Sequence, residues 1–419
     1  EGNKLPVSAF LEYASGAVPS GTAAYEKRNI AVRIPHWIAG NCIECNICSY
    51  VCPHAVIRPV AMDHTERQKA PSGMVSKDMR GAEKYQFAIT VSVLDCTGCG
   101  TCAACCPAKD KALVMEPTEK YYDYQKYYEY GRTIKEREEL VEKFGISSVK
   151  GSQFKQPLLE FHGACAGCGE TAYAKQATQL FGERMYIANA TGCSSIWGNS
   201  SPATPYTINE KGRGPAWSNS LFEDAAEFGY GMLLGADAIR KSLREKVEEI
   251  VETTKIESLK KAADAWILSY ENGHENQMTS EKLTGELLEC DCQLAEEILE
   301  KKMFLSKKSN WIFGGDGWAY DIGFGGLDHV LASGRDINIL VFDTEVYSNT
   351  GGQASKSTPM GAVAQFAAGG KKSRKKDLAA MAMSYGNVFV AQVAMGADYN
   401  QCIKAFTEAE AYPGTSLIL

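Results

Sequence analysis

Cysteine spacing constrains this chain more tightly than any other feature. Cys42, Cys45, Cys48 and Cys52 precede Pro53, and Cys96, Cys99, Cys102 and Cys106 precede Pro107, so the pattern C-x2-C-x2-C-x3-C-P occurs twice. Two copies of so specific a run exclude coincidence and make the stretch an internal repeat of one small fold. Three soft thiolates at short intervals, with a fourth held off by a proline turn, suit an iron-sulfur cubane. Zinc modules, the competing explanation, pair two C-x2-C units at a distance instead. In such repeats the fourth cysteine reaches the neighbouring cluster. The expected ligand sets are therefore crossed: Cys42, Cys45 and Cys48 with Cys106, and Cys96, Cys99 and Cys102 with Cys52. Cys105 is left over and reads as a buried structural thiol.

The rest of the composition narrows the function class. Fifteen cysteines in 419 residues, clustered at metal-ligand spacing and without an export signal, argue for metal binding over disulfides. A net charge of -7 argues against nucleic acid and acidic membranes as partners. No stretch reaches the roughly 18 to 20 apolar residues of a membrane span. The opening Glu1-Gly2-Asn3-Lys4 is neither basic nor followed by an apolar core, so a cytoplasmic location is expected. The chain lacks an initiator Met and stops in the apolar run Ser416-Leu417-Ile418-Leu419, so it is expected to be part of a longer polypeptide.

Four segments are expected. Residues 1–34 read as a connector from a preceding domain. Residues 35–118 carry the cysteine repeat and resemble the α+β bacterial two-cluster ferredoxin domain. Within them Phe87, Ile89, Val91 and Val93 alternate with Ala88, Thr90 and Ser92, the period of a half-buried strand. The polar insert Met62 to Lys84 reads as loop. Residues 119–160 read as a helical linker, with Tyr121, Tyr124 and Tyr128 on one face. In residues 161–419 short apolar runs at Met185–Ala190, Trp311–Phe313, Ile337–Phe342, Val388–Val393 and Leu417–Leu419 alternate with helical stretches. This predicts an α/β domain, a parallel sheet with helices on both faces. The charged stretch 236–302 reads as amphipathic helices inserted between strands.

A second constellation falls at two strand ends. Gly315-Asp316-Gly317 follows the run at Trp311, where glycines let backbone approach a diphosphate. The run at Ile337 ends in Asp343-Thr344-Glu345-Val346-Tyr347-Ser348-Asn349. The Asp316 carboxylate, Thr344 hydroxyl and Val346 carbonyl could supply the hard oxygens that magnesium requires. The pattern resembles the thiamine diphosphate signature, although Asp343-Thr344 stands where an Asn-Asn pair is usual. Alone, a Gly-Asp-Gly is equally a simple turn.

Further residues sharpen the resemblance. They are Gly163-Ala164-Cys165-Ala166-Gly167-Cys168-Gly169-Glu170, the run Ala190-Thr191-Gly192-Cys193-Ser194-Ser195-Ile196-Trp197-Gly198, Gly315-Asp316-Gly317-Trp318-Ala319, and Asp343 to Gln353. With the two cysteine motifs, they make the chain resemble the C-terminal part of the single-chain pyruvate:ferredoxin (flavodoxin) oxidoreductases, or pyruvate synthases. The resemblance implies three 4Fe-4S clusters, thiamine diphosphate and Mg2+, with coenzyme A as co-substrate. Cys165, Cys168 and Cys193 would hold the third cluster, its fourth ligand lying beyond Leu419. Glu170, Cys193, Gly315, Asp316, Gly317, Trp318 and the segment Thr344, Glu345, Val346, Tyr347, Ser348 and Asn349 would line the cofactor, and Asn349 would reach the substrate.

The same resemblance implies the reaction. Pyruvate and coenzyme A give acetyl-CoA and carbon dioxide, reversibly, and electrons pass through the clusters to ferredoxin or flavodoxin. It also implies a homodimer and places the activating glutamate and most of the coenzyme A site in N-terminal domains outside this chain, so that this segment alone would be inactive. Two alternatives stay open: the same chemistry on another 2-oxoacid, and a polyferredoxin electron carrier without catalysis. The basic run Lys371-Lys372-Ser373-Arg374-Lys375-Lys376 reads as a solvated loop in preference to a docking site, and Cys402 as a structural thiol.

Overall fold

The computed structural model describes residues 4–200 and 203–419, so the reading of Glu1 to Asn3 lies outside the described residues. Two compact units emerge: Glu1–Leu180 with Ser195–Gly214 and Met395–Lys404, and Phe181–Ser194 with Pro215–Ala394 and Ala405–Leu419. Among the described residues no helix is long and apolar enough to cross a membrane.

Among its described residues the first unit has five strands: β1 (Arg33–Trp37), β2 (Ile57–Met62), β3 (Lys77–Asp78), β4 (Gln86–Val91) and β5 (Leu113–Pro117). β1 pairs antiparallel with β5, and β4 lies between β2 and β3, antiparallel to both. Each cysteine motif connects two strands, β1 to β2 and β4 to β5, so the sequence repeat is also a structural one. The conformation repeats in detail. Glu44 and Asn46 in the first copy, and Gly98 and Gly100 in the second, all have positive φ. A short helix then follows in each, Ile47–Tyr50 and Thr101–Ala104.

Three expectations for this unit are refined. β4 is buried on both faces, Ala88 and Thr90 included. Its second face is covered by the helix Tyr124–Arg132, where Gly131 lies so close to Val60 and Thr90 that a Cβ would come within 3.0 Å and 3.2 Å of their side chains. The insert Met62 to Lys84 also contains structure, with helix His64–Lys69, strand β3, and Met74 and Met79 buried. Residues 119–160, expected to link, instead contribute Tyr128, Leu140, Val141 and Phe154 to the core that holds Ile34, Phe87 and Ile89. They form three helices, Tyr124–Arg132, Glu138–Phe144 and the short Val149–Ser152, and Tyr121 precedes the first.

The second unit is built on six parallel strands: β6 (Met185–Asn189), β7 (Ala216–Asn219), β8 (Ser309–Gly315), β9 (Ile337–Phe342), β12 (Phe389–Ala391) and β13 (Thr415–Ile418). Their order is β12-β13-β9-β8-β6-β7. The short pair β10 (Val346–Tyr347) and β11 (Gln353–Ala354) stands apart. β9 is buried at every residue, and β8 at every residue but its last, as a parallel sheet covered on both faces requires. One face packs Ile312, Ile339, Val341 and Leu417 against Leu233, Trp318 and Leu327. On the other, Trp311 stacks between Phe181 and Phe406 at 5.8 Å from each ring. β7, short and polar, was not expected.

Between β7 and β8 run four helices, Ala225–Thr253, Glu257–Leu268, Gly273–Leu288 and Gln293–Glu300, starting earlier than the expected residue 236. They enclose a core of their own around Val247, Ile250, Trp266, Leu283 and Ile298.

Candidate functional site

Strand order reverses at β6, with β7 on one side and β8 and β9 on the other. Ligands of such sheets bind beyond strand C-termini near that reversal. β8 and β9 are adjacent and in register, Gly315 opposite Phe342, so Asp316 and the Asp343-Thr344 pair emerge side by side.

Asp316 is 1% exposed and its carboxylate is held by three donors. Oδ1 accepts from the Thr344 amide at 3.3 Å and hydroxyl at 3.0 Å, and Oδ2 from the Ser355 hydroxyl at 2.5 Å. Burial pushes the Asp316 carboxyl up, and the Ser355 and Thr344 hydrogen bonds pull it back. The Thr344 hydroxyl also donates to the Val346 carbonyl at 3.2 Å, and the Ser348 hydroxyl donates to Thr344 Oγ1 at 2.8 Å. Thr344 and Ser348 are exposed, so this oxygen cluster has a buried floor and an open mouth.

These oxygens fit magnesium. Cis ligands of an octahedral ion with Mg–O near 2.0–2.1 Å lie about 2.9 Å apart. The Asp316–Thr344 and Thr344–Val346 separations of 3.0 Å and 3.2 Å are close to that. Glycine at 317 is obligatory for another reason, because a Cβ there would lie 2.5 Å from the Tyr347 ring. Burial and then Asp321 push the Tyr347 hydroxyl up to about 12. A π-helical turn, Gly317–Ile322, follows Asp316, a rare geometry found often at functional sites. Trp318 is 0% exposed and packs in the core. Asn349 is exposed on the loop after β10, and Glu345 on the loop before it has φ 64°.

Sequence reasoning missed the shell behind this cradle. Asp343 accepts from the Tyr320 hydroxyl at 2.9 Å and from Lys375 Nζ at 2.6 Å, and also from the Ser357 hydroxyl. Lys371 donates to the Thr358 carbonyl at 2.6 Å and Lys376 to the Tyr320 carbonyl at 3.1 Å. Burial and then Lys356 bring the Lys376 ammonium down to about 8. Three lysines of the basic run are thus tied down, Lys375 to the Asp343 loop, Lys371 to Thr358 and Lys376 to Tyr320, so the run is not simply solvated. The hydroxyl-rich run Ser355-Lys356-Ser357-Thr358 was the available signal.

In the first unit the cysteines gather as two sets. Cys42, Cys45, Cys48 and Cys106 line one small cavity with Trp37, Ile89 and Leu113. Burial pushes the Cys48 thiol up, and Cys45, Cys42 and Cys106 push the same way. Burial likewise takes Cys96 up to about 12, with Cys52 and Cys99 adding to it. Cys102 is raised by burial, then by Cys52. Backbone amides of Glu44, Gly98 and Ala112 donate to the sulfurs of Cys42, Cys96 and Cys106 at 3.4 Å each. Such N–H···S bonds tune a bound cluster. Among the described residues no three His, Cys, Asp or Glu groups converge on a single metal ion. A four-iron cluster is larger than an ion and spreads its thiolates wider.

Cys165 is exposed and Cys168 half-buried, both in the first unit; Cys193 is half-buried in the second. Glu170 is buried and accepts from the Trp197 indole at 2.9 Å. Upstream, His162 stacks on His54 with centroids 4.4 Å apart. Cys105 is half-buried where a buried thiol was expected, because it sits beside Tyr399 at the surface of the repeat. Cys402 is fully buried and its thiol contacts Gln176 Oε1 at 3.5 Å.

Comparison with known proteins adds to this geometry. Residues 41–110 match a 4Fe-4S dicluster domain, residues 301–419 the C-terminal TPP-binding domain of thiamine pyrophosphate enzymes, and residues 1–31 a domain of unknown function. All of the chain is 52% identical to 36% of a pyruvate-flavodoxin oxidoreductase of Klebsiella pneumoniae. It is 53% identical to 36% of a pyruvate:ferredoxin oxidoreductase of Moorella thermoacetica. A solved 2-oxoglutarate:ferredoxin oxidoreductase from Magnetococcus marinus aligns at 13% identity and TM-score 0.34, over 61% of this chain and 62% of that one, too loosely to carry an argument. The chain thus spans about a third of the length of these curated relatives.

Proposed function

From kinship along its whole length with pyruvate-flavodoxin and pyruvate:ferredoxin oxidoreductases, we propose that this chain is the electron-transfer and thiamine-binding part of a 2-oxoacid:ferredoxin oxidoreductase acting on pyruvate. The complete polypeptide converts pyruvate and coenzyme A to acetyl-CoA and carbon dioxide and passes electrons to ferredoxin or flavodoxin. One observation carries the reading: an oxygen cradle for magnesium at two strand ends, on a chain that also bears two cubane-sized cysteine sets.

Bound thiamine diphosphate supplies the electron sink for loss of carbon dioxide next to a carbonyl. The residues of this chain do the holding. Asp316, Thr344 and Val346 take magnesium, and Ser355 with the Thr344 amide fixes the Asp316 carboxylate. Gly315 and Gly317 leave the backbone open to a diphosphate. Lys375 and Tyr320 anchor Asp343, and so the loop that carries Asn349 toward the substrate. Cys42, Cys45, Cys48 and Cys106 hold one cluster, and Cys52, Cys96, Cys99 and Cys102 the other. The family resemblance also assigns Cys165, Cys168 and Cys193 to a third cluster. A pure electron carrier would have no use for a buried carboxylate, a hydroxyl and a carbonyl converging on one point.

The test is anaerobic viologen reduction by the complete polypeptide with thiamine diphosphate and magnesium. Reduction that requires both pyruvate and coenzyme A is expected. Reduction with another 2-oxoacid alone would move the substrate assignment, and none with any 2-oxoacid would overturn the enzyme reading.

A further inference from the structure

Two cysteines outside every cluster motif face each other in the helical insertion. Cys290 ends the stretch after helix Gly273–Leu288, and Cys292 is the N-cap of helix Gln293–Glu300. The Cys292 amide donates to the Cys290 carbonyl at 3.1 Å, a three-residue turn with Asp291 at its tip. That turn sets both side chains on one side, and their sulfurs are 3.0 Å apart. Non-bonded heavy atoms usually rest about 3.5–4.0 Å apart, so one thiol is directed at the other. Both are half-buried and pack against the insertion's core, and Asp291 is exposed.

We propose that Cys290 and Cys292 form a reversible dithiol–disulfide site, independent of the iron-sulfur clusters and of the oxidoreductase reading. Its oxidant is a low-molecular-weight disulfide of the glutathione class. The geometry assigns the roles. Cys292 stands at a helix N-terminus with its sulfur making no capping bond, and it is the attacking thiol. Cys290 is the proton holder: its thiol is pushed up to about 11, first by its hydrogen bond to Cys292, then by burial. The Cys292 thiolate attacks one sulfur of the small disulfide and releases one small thiolate. Cys290, losing its proton to solvent or to that thiolate, attacks Cys292 Sγ in the mixed disulfide and releases the second. Two protein thiols are oxidised to one disulfide, and one small disulfide is reduced to two thiols. The new bond spans the turn joining two helices and needs the sulfurs to close by only about 1 Å to reach a bond of about 2.0 Å.

Differential alkylation and peptide mass mapping test this on the complete polypeptide, equilibrated anaerobically across a series of reduced-to-oxidised glutathione ratios. In oxidising mixtures the peptide with Cys290 and Cys292 should escape alkylation and be two hydrogens lighter. The ratio of oxidised to reduced protein should follow oxidised glutathione over the square of reduced glutathione, as a closed disulfide requires. Cys290→Ser should leave Cys292 carrying one glutathione, and neither single variant should show the lighter peptide. Full alkylation of both cysteines at every ratio would overturn the proposal. So would a stable single glutathione adduct in the unaltered chain, with first-power dependence on reduced glutathione.

Discussion

Asp316 concentrates the functional consequences of single residues. Three donors hold it where a cation would sit, and a neutral amide of the same shape keeps the fold but loses the charge. Asp316→Asn should weaken magnesium-dependent thiamine diphosphate binding about 10- to 100-fold, the usual cost of losing or misorienting a metal ligand. Isothermal titration would read this, with iron content unchanged. Ser355→Ala should act in the same direction and less, since Asp316 keeps its Thr344 contacts. His162 carries a pH consequence. Burial, then His54, lowers its pKa well below the ordinary value. The unfolded chain takes up a proton near pH 6.5, whereas the folded one does not, so this residue's contribution is whole above that pH and is lost as pH falls below it. Denaturant midpoints of the first unit should therefore drop between pH 7.5 and 5.5, and His162→Asn should flatten that slope. An unchanged slope would remove His162 from the account.

Elements differ in how plainly the sequence announces them. The cysteine repeat is visible at once, because thiolate spacing is dictated by cluster geometry. That Glu44 and Asn46 share the left-handed backbone of Gly98 and Gly100 is not, since only the second copy carries the residue type that signals it. β9 and β8 are legible as apolar runs, whereas β7, Ala216-Trp217-Ser218-Asn219, has too little apolar character to stand out at the sheet edge. The alternation around Phe87 names a strand correctly and its exposure wrongly, since a helix nearly forty residues later covers the other face. Thr344 and Val346 could be picked out by their place after a strand. Ser355, in a hydroxyl-rich run, and Lys375, in a basic one, carry only a compositional signal, because their contacts come from loop closure. Two helices allow direct tests. Asp63 and Glu66 form a reciprocal capping box, and Asp63→Ala should cost about 1 kcal/mol, felt as faster amide exchange in His64–Lys69. Trp266 is fully buried with its indole bonded to Ser280 and the Leu305 carbonyl, so Trp266→Ala should cost about 3–5 kcal/mol. Hydrogen exchange should show the loss in the four-helix insertion and leave β8 and β9 protected.

At the scale of the molecule, one polypeptide combines an oxygen cradle at the C-terminal ends of the central strands β8 and β9 with two thiolate sets of cubane size. Each unit has a core of its own. Their combination makes sense if electrons released at the cradle are taken up by the clusters. The most direct measurement is low-temperature electron paramagnetic resonance of the complete anaerobic polypeptide, before and after pyruvate with coenzyme A. Reduced 4Fe-4S signals should appear on adding both, and in Asp316→Asn they should appear with dithionite but not with pyruvate. Clusters that accept electrons from dithionite yet stay oxidised with pyruvate and coenzyme A in the unaltered protein would contradict the central claim.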